Sequence, residues 1–271
     1  MGDVATDVPT GGALKIEFGP NLGGQLEPGY DAPATTVTGV AFSAAFRPRR
    51  SDIWCLEAHL GAEARLNWGG DHGEEVLHVI GGTLSYDGHD CPPGSTIIVD
   101  AAVPAEVLVR EAARVLHFGA GPTPPSNGPF GAPAADGAGV RVIGPRGLAE
   151  YAEPGRLARY WADGSAPTSR VTLFSSAREG PVPQAPHSHS VDEIFMITVG
   201  SIEVGRRTIE AGMVVFVAGD QRYAFRGGPD GYTMINYRPD ASYFSLPGAG
   251  DPQIEGVNYP GITWVGDVIV A

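Results

Sequence analysis

The sequence predicts an all-β protein built from two similar halves. Three observations carry this expectation. Glycine and proline are abundant, 39 and 24 of 271 residues, which suits many short strands joined by turns and disfavours a helical bundle. Apolar runs rich in Val, Ile, Phe and Thr recur at strand length. The same runs, with their separating glycines, return at a fixed distance along the chain.

That distance is 118 residues. Glu75 opens EVLHVIGG and Glu193 opens EIFMITVG. Gly82 matches Gly200, and Gly94 of GSTIIVD matches Gly212 of GMVVFVAG. Upstream, the run at Ile53 falls on the run at Val171. A repeat this long is a duplicated domain, not a solenoid unit.

Within the second copy, strands are expected at 193–199, 201–206, 213–217, 222–226 and 232–237. Their apolar residues lie on both faces, as in a barrel or a packed double sheet. A segment poor in large apolar residues, 119–139, reads as a linker or surface loop between the copies. Pro145 opens a stretch, 145–151, that reads as a short helix. The tail from Ile262 to Val270 reads as one more strand, completing a sheet of the other half. The chain thus divides into an arm (1–39), a first barrel (40–120), a linker with a short helix (121–157), a second barrel (158–245) and a C-terminal strand or tail (246–271).

Bulk properties exclude several functions. The formal net charge is −13, and no Lys/Arg cluster stands out, which argues against nucleic acid as a partner and against anionic lipid. Cys55 and Cys91 form no CxxC pair. Neither a secretory leader nor an apolar run of membrane-spanning length is evident. The expectation is a cytoplasmic protein.

Chemistry concentrates in one segment, Pro186-His187-Ser188-His189-Ser190-Val191-Asp192-Glu193. In an extended chain, residues two apart share a face. His187 and His189 therefore aim together, and Glu193 keeps their parity. Two imidazoles and a carboxylate suit a divalent first-row metal: Fe(II), Mn, Ni, Cu or Zn. In the first copy the matching positions are Gly69, Asp71 and Glu75, so only the carboxylate survives. His72 and His78 have the wrong parity relative to Glu75. His117 falls on Ile235 and reads as a barrel-lining or core histidine.

The spacing His187-x-His189, Glu193, Gly200 resembles the first motif of the cupins. With the duplication, the chain resembles a bicupin whose N-terminal copy has lost its metal ligands. The resemblance implies two tandem double-stranded β-helix (jelly-roll) barrels. The second cupin motif is matched in part. Ala218 and Asp220 stand at its Pro and Gly positions, and Tyr223 stands where the family has a fourth ligand, a histidine. Tyr223 is therefore a candidate ligand, a hydrogen-bond or proton donor, or a pocket residue.

The function expected from this site is a metal-dependent enzyme, foremost an Fe(II) oxygenase acting on a small organic substrate, with Tyr223 as a catalytic candidate. A metal Lewis acid driving isomerisation, cyclisation or cleavage stays open, as does a non-catalytic small-molecule binder. A homodimer is expected. Trp54, Trp68, Trp161 and Trp264 are expected in the core. Phe195, Ile197, Phe225 and Met234 could line a pocket but are read as core. Arg222, Arg226 and Arg238 could meet an anionic substrate but are read as surface.

Overall fold

A computed structural model describes residues 15–121, 128–248, 250–254 and 261–270. Their regular elements are strands apart from one 3-10 turn at Leu22–Gly24, with no α-helix among them. They form an 11-stranded and a 12-stranded sheet. The first half of the chain supplies most of the former and the second half most of the latter.

The two halves repeat one plan. In the first, Glu75–Tyr86 pairs antiparallel with Ala105–Gly119 and with Thr96–Val99. In the second, Glu193–Val204 pairs with Tyr223–Arg238 and with Met213–Val217. Gly82 and Gly200 explain one repeated feature. Both have positive φ (72° and 70°), and a Cβ would lie 2.1 Å from Ala112 O or 2.2 Å from Gly231 O. Only glycine fits such a crowded left-handed position.

The 118-residue offset does not hold throughout. Val109 faces Leu84 and Gly227 faces Ile202, a match at 118, but Val115 faces Val79 and Met234 faces Ile197. The second copy has gained one residue at the bulge between these points. His117 therefore matches Asn236, and not Ile235 as the uniform offset implies.

The chain ends cross over. Ile16–Asn21 joins the sheet of the second half by pairing with Met213–Val217. Val268–Val270 joins the sheet of the first half by pairing with Val140–Ile143. The expected tail strand is thus two pieces, because Thr263–Trp264 pairs with Ala149–Glu153 of the second half's sheet. Trp264 is 53% exposed, against expectation. It lies on a two-residue strand at the end of the sheet's strand order. Trp54, Trp68 and Trp161 are buried.

The helix expected at 145–151 does not form. Residues 145–147 turn, with Gly147 at positive φ (73°), and Ala149–Glu153 is a strand against Arg156–Asp163. Leu148 N donates to Tyr160 O at 2.7 Å. A sheet partner that satisfies the backbone overrides the weak helix signal of one proline.

One apolar cluster spans both halves. Phe118, Ile98 and Cys55 of the first pack with Trp161, Ile194 and Tyr237 of the second. Phe118 and Tyr237 stack at 5.3 Å. Cys55 and Cys91 are free and buried. Among the described residues no helix is long and apolar enough to cross a membrane.

Such a shared core makes the halves unfold together. Phe118→Ala should lower stability by about 3–5 kcal/mol and move a single urea transition, followed by tryptophan fluorescence, as one unit. Two separated transitions in the variant would show independent halves.

Candidate functional site

Strand geometry assembles the site in the second half. Pro183–His189 runs antiparallel to Tyr223–Arg238, with His187 paired to Tyr223. His187 and His189 share a face and are buried. Glu193 opens the neighbouring strand, opposite Val217. Asn236 and Arg238, two residues apart at the end of the Tyr223–Arg238 strand, reach the same carboxylate. The sequence-predicted residues thus do converge. The His187 and His189 rings lie 5.1 Å apart, and the Tyr223 ring lies 4.4 Å from His187.

Glu193 is the hub and is 1% exposed. The Tyr223 hydroxyl donates to Oε1 at 2.5 Å. Asn236 Nδ2 donates to Oε2 at 2.8 Å. Arg238 donates to Oε2 from Nε at 3.2 Å and from Nη2 at 3.0 Å. Burial alone would raise the Glu193 pKa. Neighbouring His189 and Arg238, then the bonds from Asn236 and Tyr223, outweigh burial and hold it at about 2.

Arg238 decides the chemistry available. Its Nη2 lies 3.2 Å from His189 Nε2 and 3.0 Å from Glu193 Oε2, while those two donors are 3.8 Å apart. The guanidinium occupies the space between two of the expected metal ligands. A metal needs lone pairs aimed at one position about 2.0–2.2 Å from each donor, and a second cation there would meet the guanidinium charge. Among the described residues no three His, Cys, Asp or Glu side chains are grouped to hold a metal ion. As arranged, these residues do not fit a metal.

Local sequence explains the rest. Asp220 stands where the second motif has glycine and takes positive φ (59°), a conformation aspartate tolerates. Its N–H donates to His189 O at 2.6 Å, and Gly219 N donates to Asp192 Oδ1 at 2.7 Å. These bonds tie the histidine strand to the turn before Tyr223. His187 Nδ1 lies 2.8 Å from Ala185 O, which makes it the protonated nitrogen. Phe244 covers both histidines at 5.5 and 5.4 Å. Phe195, Ile197, Phe225 and Met234 belong to a packed apolar cluster with Tyr223.

Sequence reasoning missed Arg238, Asn236 and Phe244. Arg238 was expected at the surface, yet it is 1% exposed. A signal existed: Met234, Asn236 and Arg238 share parity, so the polar pair continues an inward face.

The first half keeps the carboxylate and changes its partners. Glu75 Oε2 accepts from Thr35 Oγ1 at 2.7 Å and from Trp68 Nε1 at 2.6 Å. His117 Nε2 lies 2.9 Å away, and Tyr30 OH meets His117 Nδ1 at 2.7 Å.

Two antiparallel sheets with matching glutamates at matching strand starts describe a duplicated jelly roll, and solved structures share it across the chain. A glyoxylate-induced protein from Pseudomonas aeruginosa superposes with a TM-score of 0.61 at 15% identity, covering 88% of this chain and 92% of that one. The fold is that of a bicupin. Oxalate decarboxylase from Lactobacillus farciminis superposes on this chain at 0.61 and 11% identity, covering 86% and 88%. That of Bacillus subtilis, described with Mn(II) centres, gives 0.57 at 13%, covering 85% and 78%. At these identities the likeness concerns the fold. No family model and no curated protein matches the sequence.

The cluster predicts acid lability. The carboxyl falls from its ordinary 4.5 to about 2 on folding. Its contribution, about 3 kcal/mol, is whole above pH 4.5 and is lost as pH falls towards 2. Glu193→Gln leaves Arg238 buried without its anion and should cost about 3–5 kcal/mol at pH 7. Urea denaturation of both proteins across pH 2–7 should show the gap closing on the acid side. A gap that stays constant would remove the ionised carboxylate from this account.

Proposed function

We propose that the protein is a small-molecule-binding bicupin whose C-terminal barrel meets its ligand with a preassembled ionic cluster in place of a metal. The observation that carries this reading is the Arg238 guanidinium seated between His189 and Glu193. The cluster holds charge and is poorly set to move protons. Glu193, with a pKa of about 2, stays ionised at neutral pH and makes a weak general base. The Tyr223 hydroxyl proton is committed to Glu193. His187, His189 and Tyr223 offer the ligand a rigid aromatic and imidazole face.

A second reading is a metal-dependent enzyme, foremost an Fe(II) oxygenase. It draws on the convergence of His187, His189 and Glu193, and on the Mn(II) centres of one structural neighbour. It requires Arg238 to leave the carboxylate.

Metal binding separates the two. Purified protein should carry well under one equivalent of iron or manganese. Co(II) titration should give no visible absorption bands from a protein-bound ion. Arg238→Ala should bind Co(II) roughly tenfold or more tightly than the unmodified chain, a gain of about 1.4 kcal/mol. One tightly held equivalent in the unmodified chain, with oxygen uptake abolished in His187→Ala, would establish the oxygenase reading instead.

A further inference from the structure

The N-terminal barrel carries a buried carboxylate that lacks the guanidinium its twin possesses. Glu193 is neutralised by Arg238. The matching position in the first half is Gly119, opposite Glu75 as Arg238 follows Tyr237 opposite Ile194. No side chain can grow there, because a Cβ on Gly119 would lie 2.4 Å from the Trp54 ring. Glu75 is nonetheless buried, at 1% exposure. Its Oε2 is occupied by Thr35 and Trp68, with His117 alongside. Its Oε1 accepts no hydrogen bond from any described residue.

Oε1 has somewhere to find a partner. Glu75 lines a cavity of about 660 Å³ that Trp54 also walls, a volume within the range of small-molecule sites. The charges around it favour a cation. Arg47 is paired with Asp31 at 2.7 Å, while Asp52 and Asp71 line the same cavity beside Arg49. Burial would raise the Glu75 pKa, but His117, Thr35 and Trp68 together hold it below the ordinary value, so the carboxyl is an anion at neutral pH. The Tyr30 phenol, pushed well up by burial and by Glu75, keeps its proton and hydrogen-bonds His117 Nδ1 at 2.7 Å.

We propose that the first barrel binds a small organic cation, an ammonium or guanidinium group, on Glu75 Oε1. The ligand would supply from outside the charge that Arg238 supplies from within the second barrel. A cationic head on a carboxylate oxygen gains a charge-assisted hydrogen bond, and the neighbouring Trp54 indole adds an aromatic face for it. The degenerate half is on this reading a ligand site of its own, with selectivity for a cationic head.

The test uses the full chain, labelled with ¹⁵N, and methylguanidinium as probe. Its uncharged analogue N-methylurea serves as control. Trp68 Nε1–H bonds Glu75 directly, and Trp54 walls the cavity. Their indole signals should move and saturate with methylguanidinium, while those of Trp161 and Trp264 stay in place. N-methylurea should bind roughly tenfold more weakly or not at all, and Glu75→Gln should lose the preference for the charged probe. Equal responses to the two probes, or indole signals of Trp54 and Trp68 that do not move in the unmodified chain, would overturn the proposal. The measurement on the unmodified chain stands even if the variant fails to fold.

Discussion

A carboxylate buried at the head of a strand must be compensated, and that requirement organises both halves of this protein. Left bare, such a charge would favour unfolding or proton uptake. In the second half the answer is a guanidinium with a phenol and an amide, all aimed at Glu193. In the first half it is a hydroxyl, an indole and an imidazole around Glu75. The strand that closes each barrel supplies part of the answer, Asn236 and Arg238 in one case and His117 in the other. The register between that strand and the glutamate strand is therefore under a chemical constraint as well as a packing one.

The duplication shows how such a constraint survives divergence. The second copy gained one residue in its long closing strand, and the gain was absorbed at a bulge near Gly231, away from the carboxylate. Beyond the bulge, pairing resumes so that Asn236 stands where His117 does. Both place a nitrogen within 2.8–2.9 Å of the glutamate. A slip of one residue at the site itself would have turned every inward side chain outward. The glycines at 82 and 200 hold the entry to this region in both copies, because the opposing backbone leaves no room for a side chain.

Much of the fold was legible because its signals are local and repeated. Strand-length apolar runs, turn glycines and a long internal repeat needed no tertiary knowledge. The convergence of His187, His189 and Glu193 was legible from strand parity, and Tyr223 from the resemblance to the second cupin motif. What escaped was whatever depends on partners distant in sequence. Arg238 reads as a surface residue until its strand is laid beside Glu193. A proline-led stretch at 145 reads as a helix until Arg156–Asp163 offers it a sheet. Trp264 reads as core until its short strand is seen to end the sheet, with the indole half exposed. His117 was mispaired because a uniform offset cannot register a single inserted residue. A motif also does not say what else reaches the same place, as Arg238 does beside His189 and Glu193.

The crossed termini bear on how the molecule holds together in time. Ile16–Asn21 zips onto the second half's sheet, and Val268–Val270 onto the first half's. Each half therefore wears an edge strand that belongs, in chain order, to the other. A covalent break in the connection between the sheets would not free two separate bodies, since each fragment would still clasp its counterpart by one strand and by the shared apolar core. The same crossing delays completion during synthesis. The first sheet lacks its outer strand until Val268–Val270 has been made, after the strands of the second sheet, so the barrel begun first is closed after the other.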